Sequence, residues 1–316
     1  MNLYDYKGDV IMTTFSTPED YGAVGDGTVD DTNAIQQALN DGGYIVFYPQ
    51  KTYKVTRTLR VYANTIIDLN GSTIISTTKH LMYNFLSSDT FTGYAGNGNI
   101  TVKNGTIIGG SISFAHGEKL ELKGILFKNS LNDHFLEIAG CKDYAVKDCA
   151  FIGMENLTTS VLEYINIDPC IYGCLPWLPE GSAFYDGTIN NELKIEGCYF
   201  DIGSDDYAYG FNAVGVHSTG GTTTKHKDIR IINNDIRNFS GCGLRLNHMQ
   251  EVYVADNRIE TVGDGIRIGD VAAVTDIVIK GNYVVSSEGE KILKTSGQYS
   301  NLTIANNVTM GYTQDF

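Results

Sequence analysis

Short runs in which aliphatic and polar residues alternate recur along the chain, each interrupted by a pair of turn-forming residues. The unit is an aliphatic residue, a polar one, two turn residues, a variable residue and an aliphatic or aromatic one. It reads VKNGTI at 102–107, LKGILF at 122–127, VKDCAF at 146–151 and IEGCYF at 195–200, then IINNDI at 231–236, VADNRI at 254–259, IKGNYV at 279–284 and IANNVT at 304–309. Alternation with a period of two marks strands with one buried face. Successive units start 20, 24, 49, 36, 23, 25 and 25 residues apart. The interval of 49 predicts an additional coil around 161–175, and the excess in 36 a loop near 203–224. Helical repeats are longer, and the Leu skeleton of a leucine-rich repeat is missing. The spacing therefore predicts an all-β parallel β-helix, a solenoid whose coils pair with those before and after.

The fourth position of the unit holds Cys149, Cys198, Asn234, Asn257, Asn282 and Asn307. An Asn column predicts a side-chain ladder inside the turn, in the left-handed conformation that Asn tolerates, with the two Cys as small buried members of the same stack. The N-terminal part has a different period. Ala34, Ile35, Ala38 and Leu39 lie at helical spacing, with Asp30 or Asp31 to cap the start and Gly42 to end it. A solenoid end exposes strand edges and an apolar bore, so this helix is expected to cap it. The resulting division is 1–17 as a docking or exchange segment, 18–60 as the cap, 61–311 as coils with an inserted loop at 169–187, and 312–316 as a tail.

Composition narrows the partners. Lys plus Arg number 23 against 37 Asp plus Glu, a net charge of −14, which argues against duplex DNA or an anionic membrane surface. No apolar run approaches a membrane span and the first residues lack a signal-peptide layout, so synthesis in a host cytoplasm with no membrane association is expected. The six Cys are then read as reduced thiols. Cys170 and Cys174 have a metal-like spacing but no nearby His in sequence, and no metal site is assigned.

The stretch 19–55, EDYGAVGDGTVDDTNAIQQALNDGGYIVFYPQKTYKV, resembles the opening of the pectate-lyase-like superfamily of right-handed β-helices, which includes phage tailspikes and polysaccharide-degrading enzymes. Lyases, hydrolases, epimerases and binding proteins share this opening, so it implies the fold and not the activity. Asp26, Asp30 and Asp31 within it are read as turn and cap residues. Residues 129–268 are similar to a subgroup found in phages and prophages of Gram-positive bacteria. The resemblance is carried by NSLNDHFLEIAGCKDY, LEYINID, YDG, VGVHS and GLRL, and it brings His134 and Asp186 into the candidate binding set.

The strands that precede each unit supply the chemistry. With the aliphatic residues of Leu136-Glu137-Ile138, Ile165-Asn166-Ile167, Val216-His217-Ser218, Leu244-Arg245-Leu246 and Ile266-Arg267-Ile268 facing the bore, the middle residues form an exposed outer column. Asp168 shares the parity of Asn166. This strip is either an ordinary solvated face or a site with acids at one end and bases at the other. As a site, Glu137 with Asp168, or Glu163 with Asp168, offers the two carboxyl groups of glycoside hydrolysis, and His217 a proton shuttle. Asn166-Ile167-Asp168, Asp205-Asp206 and Arg267-Ile268 resemble elements of polygalacturonase-type hydrolases, although Ser218 and Gly269 depart from that pattern. Arg245 and Arg267 would bind carboxylate or phosphate on a glycan, or else form surface ion pairs with Asp264, Asp270 or Glu290. Trp177, in the inserted loop, would stack a sugar ring or pin the loop to its neighbours.

Together these observations and resemblances lead to the expectation of a phage or prophage tail-associated glycan depolymerase, a glycoside hydrolase acting on bacterial surface polysaccharide without a cofactor. A polysaccharide lyase using Arg245 or His217 as base, with a divalent cation such as calcium, is the enzymatic alternative. A non-catalytic receptor-binding appendage is the other. A homotrimer attached to a tail or baseplate through its N-terminus, in the virion or released from it, completes the expectation.

Overall fold

The computed structural model describes residues 3–4, 10–12, 15–154, 162–174, 181–202, 211–216, 224–294 and 299–311. Apart from the antiparallel pair Leu3–Tyr4 with Val10–Met12, the strand pairings among these residues are parallel. They form three sheets around one bore. The first position of the repeat unit makes a single inward ladder, Ile67–Val102–Leu122–Val146–Ile195–Ile231–Val254–Ile279–Ile304, one residue per coil. The sixth position makes the second ladder, through Ile107, Phe127, Phe151, Phe200, Ile236, Ile259 and Val284. The repeat unit is thus the corner between two sheets. The third sheet has nine strands and runs from Leu59–Arg60 to Ile292–Lys294.

Register decides the packing. Identical positions on successive coils stack at the strand spacing of ~4.8 Å, so aromatic residues in register meet face to face. Phe127, Phe151 and Phe200 stack with centroids 4.9 Å apart and planes within 11°. Each such contact adds about 0.5–1.5 kcal/mol beyond the burial of its rings.

The ladder in the turn is present. Asn234, Asn257 and Asn282 each donate through the backbone N–H and Nδ2 to the Oδ1 of the Asn one coil on, at 2.9–3.0 Å, and Asn307 closes the series. Cys198 N–H enters the same column by donating to Asn234 Oδ1 at 2.9 Å. The left-handed residue is one place earlier than expected. Asn104, Asp148, Asn233, Asp256, Gly281 and Asn306 have φ between 52° and 67°, while the ladder residues do not. The left-handed residue reverses the chain, and in these turns the residue after it aims its amide along the solenoid axis.

The additional coil around 161–175 does not exist. Lys142–Lys147 pairs directly with Asn191–Glu196, and Ala150 with Tyr199, so the 49-residue interval is one coil with long excursions. Strand ladders fix the strands but not the corners, where the closure cost of a longer loop grows only logarithmically. The 36-residue interval is likewise one coil. Of the loop expected near 203–224, residues 203–210 and 217–223 lie outside the described residues, and Asn212–Gly215 between them is a strand of the third sheet.

At the N-terminal end the helix Thr32–Asp41 buries Ala34, Ile35, Ala38 and Leu39 on the first coils. Asp30 accepts from Thr32 N–H at 3.0 Å. Asp31 turns back to Val24 and Gly25 N–H, and Asp26 holds Thr28 and Val29 N–H, so all three carboxylates serve turns. All six Cys are buried and unbridged. Among the described residues no helix is long and apolar enough to cross a membrane.

Candidate active site on the third sheet

The third sheet carries the site. Its outward ladder reads Ser113–Glu137–Asn166–Gly215–Arg245–Arg267. The pattern Val216-His217-Ser218 placed His217 on the fourth rung, but Gly215 occupies it. VGV satisfies the alternation as well as VHS does, and pairing of Val214 with Ile165 and Leu244 selects the former. His217, Trp177, Asp205 and Asp206 lie outside the described residues.

A second correction concerns exposure. Glu137, Asn166 and Asp168 are only 6%, 4% and 2% exposed, so the acid end of the strip is not a solvated surface. Loops rise on both sides of the strands and enclose a cleft of about 260 Å³, whose lining includes Glu137, Asn166, Asp168, His134, His80 and Asp133. One wall is the turn Cys170–Cys174. It is anchored in a side cluster of Phe85, Ala115, Ala139, Cys170, Ile171 and Phe184. Asp186 belongs to this scaffold. Its oxygens accept from Gly93 and Thr188 N–H at 2.7 and 2.8 Å, tying two loops together away from the cleft.

Glu137 is held as an acceptor. Ser113 Oγ donates to its Oε2 at 2.6 Å and Asn132 Nδ2 to its Oε1 at 3.1 Å. Asn132 Nδ2 also lies 3.1 Å from Ser111 Oγ and 3.5 Å from His80 Nδ1, so His80 and Glu137 share one positioning side chain. Burial pushes the His80 imidazole below its ordinary pKa, against the opposite pull of the Glu137 charge. Asp168 sits on the next coil, two residues along from the Asn166 that pairs with Glu137, and Asn166 Nδ2 donates to Asp168 Oδ2 at 3.3 Å. His134 Nδ1 is 2.5 Å from the Glu163 carbonyl. A carbonyl only accepts, so Nδ1 carries the proton and, in the neutral ring, Nε2 is the basic nitrogen.

The structure separates Glu163 from this group. Tyr164 and Ile165 both enter the core, which breaks the alternation, and Glu163 turns to Asn212 and Arg245. The basic end of the strip is neutralised in the same manner. Arg245 pairs with Glu163 at 3.3 Å and Asp270 at 3.2 Å, and Arg267 with Asp264 at 2.6 Å and Asp270 at 3.5 Å. Of the residues that sequence reasoning singled out, the cleft unites Glu137, Asp168, Asn166 and His134. It missed Ser113, although Ile112-Ser113-Phe114 carries the same alternation. His80 opens the strand His80–Tyr83 at an irregular register, and Asn132 and Asp133 lie in the bend at 131–133, so no periodicity flags them. Among the described residues no cluster of three His, Cys, Asp or Glu side chains is placed to hold a metal ion.

Three parallel sheets around one bore, with a carboxylate-lined cleft over one of them, make a right-handed parallel β-helix, similar to phage tailspikes in fold. Residues 15–116 match the model described as rhamnogalacturonase A/epimerase, pectate lyase-like, and residues 176–309 the right-handed β-helix region. Plasmin and fibronectin-binding protein A of Streptococcus pneumoniae is 28% identical over 81% of this chain and 42% of its own length. The pre-neck appendage protein of Bacillus phage phi29 is 26% identical over 84% of this chain and 29% of its own. The chain thus spans less than half the length of either relative. Among solved structures, the pneumococcal surface adhesin PfbA superposes with a TM-score of 0.79 at 21% identity, covering 96% of this chain and 80% of that one. A tailspike protein mutant of E. coli bacteriophage HK620, in complex with pentasaccharide, gives 0.62 at 13%, covering 97% and 56%.

Proposed function

We propose that this β-helix is a glycan-cleaving appendage of a phage or prophage tail, a glycoside hydrolase in which Glu137 and Asp168 are the reacting pair. One observation carries the reading: two buried carboxyl groups on adjacent coils line one cleft. A step of one coil, ~4.8 Å, and two residues along a strand, ~6.6 Å, separates their backbones by about 8 Å. Inverting enzymes place their carboxyl groups ~6.5–9.5 Å apart, leaving room for the attacking water, whereas retaining enzymes need ~5–5.5 Å. Glu137, held by two donors, takes the role of base toward that water. Asp168, against the loop wall, protonates the departing glycosidic oxygen, and His80 and His134 orient the sugar hydroxyls around them.

The lyase alternative is less well supported, because Arg245, one of its two candidate bases, is held in ion pairs with Glu163 and Asp270. The tailspike neighbour bound to a pentasaccharide and the phage appendage relative support a glycan ligand and a virion-associated location. Three-fold association belongs to the same proposal, and a monomer mass in light scattering would remove it.

Incubation with bacterial surface polysaccharides, followed by sizing of the products and NMR of the new anomeric centre, tests the reading. Shortened chains with inverted configuration and no ultraviolet-absorbing double bond are expected. Asp168→Asn and Glu137→Gln should each lower the rate by at least ~100-fold, a typical general acid–base contribution. Wild-type turnover in either variant, with folding intact, removes that residue from the mechanism. The pneumococcal relative's name favours a second reading, a binding module without catalysis. Retention of intact polysaccharide by the wild-type protein would select it.

A further inference from the structure

Resting on that glycan reading, we infer that the cleft accepts an uncharged glycan and that Tyr172 is the platform on which a sugar ring stacks beside the reacting carboxyl groups. The first argument is charge. Among the described residues, the cleft lining contains one lysine, Lys79, against three carboxyl groups, Asp133, Glu137 and Asp168. The guanidinium groups of the neighbouring rungs are already committed to Glu163, Asp264 and Asp270. A uronate, phosphate or sulfate entering this space meets like charge at short range in a poorly solvated site, and each such contact opposes binding. A neutral or N-acetylated hexose meets only acceptors and donors for its hydroxyl groups.

The second argument is the rim. Tyr172 is 55% exposed, yet it sits in a turn whose other residues are fixed. Cys170, Ile171 and Cys174 are buried, Cys174 N–H donates to Ile171 O at 3.1 Å, and Ile171 N–H lies 3.3 Å from Cys174 Sγ. The next two residues, Gly173 and Cys174, line the cleft itself, so Tyr172 borders that lining in the chain. Tyr185 meets the ring edge-on, with centroids 5.8 Å apart and planes at 84°, which restrains its orientation. A rigid aromatic at the edge of a polar cleft suits a pyranose, whose C–H face packs on the ring while its hydroxyls turn inward.

The test compares wild type, Tyr172→Ala and Tyr172→Trp on immobilised bacterial polysaccharides of matched length, one set neutral or N-acetylated and one set rich in uronate. Binding and cleavage are both read. Binding confined to the neutral set is expected, with little dependence on ionic strength. Tyr172→Ala should weaken it by about tenfold, and Tyr172→Trp should restore it. Preference for the uronate set, or wild-type binding by Tyr172→Ala, would overturn the inference. Neutral glycans bound through Tyr172 but never cleaved would leave it standing and remove the hydrolase reading. Absence of binding to every polysaccharide would remove both.

Discussion

Arg245 reaches Glu163 across a rung that has no side chain. Arg245 Nη1 lies 3.3 Å from Glu163 Oε1, two coils away, because Gly215 occupies the coil between them. A Cβ on Gly215 would stand 3.0 Å from both Glu163 Cγ and Arg245 Cβ. The glycine therefore makes room for a fully buried carboxylate to meet its counter-ion.

Removing one partner should be costly. Arg245→Met leaves the Glu163 charge buried without this cation, and a loss of about 3–5 kcal/mol is expected in urea unfolding. The double variant Arg245→Met/Glu163→Gln should recover part of that loss. Gly215→Val should destabilise by about 1–3 kcal/mol through overpacking. A melting temperature unchanged by Gly215→Val would show that the rung has slack.

The turn contains two different requirements, and substitutions at Asn257 and Asp256 separate them. Asn257→Leu removes the Oδ1 that accepts from Asn234 and the Nδ2 that donates to Ile231 O and Asn282. A cost of about 1–3 kcal/mol follows from the unsatisfied groups it leaves buried. Asp256, with φ at 56°, has a backbone requirement instead. Asp256→Gly should be tolerated and Asp256→Val should destabilise. Thermal melts of the three variants give the comparison.

Acid should unfold the protein through His226. The ring is fully buried, and its Nδ1 accepts Asn190 N–H at 2.9 Å. Burial, helped by the adjacent His248, pushes its pKa down to about 3. The folded value thus lies below the unfolded one of roughly 6.5. Stability from the neutral ring is complete above that pH and is lost as pH falls toward 3. His226→Asn keeps an acceptor in line with the Cys141–Asn190 ladder and cannot titrate. Its stability should fall less steeply over this window, and a slope equal to wild type would assign the acid sensitivity elsewhere.

The thiols should be silent in the folded state. Every Cys is buried, and burial pushes Cys141 up to about 12, so the reactive thiolate is scarce at neutral pH. A disulfide reagent should titrate the full set only after denaturation, and rapid labelling of the native protein would contradict this packing.

What the sequence determined by itself is whatever recurs. The repeat unit specified the parallel coil because a period-2 pattern repeated at a fixed interval can bury its aliphatic face only by stacking in register. The Asn ladder was legible for the same reason, each Asn needing the one on the next coil, and so was the helix at 32–41 from its spacing and flanking turn residues. Glu137, Asn166 and Asp168 could be grouped because they lie on the periodic strands. Tertiary structure decided the rest. Whether Gly215 or His217 took the fourth rung depended on which valine met Ile165 across the coil, a long-range choice between two equal local patterns. Whether the polar strip was exposed depended on loops of irregular length, which no alternation describes. Arg245 and Arg267 read equally as glycan-binding cations or as ion-pair partners of Asp264, Asp270 or Glu290, and the fold selected the pairs and added Glu163. His80, at the start of its strand, and Asn132, in a bend, came to Glu137 only through the closing of the coil.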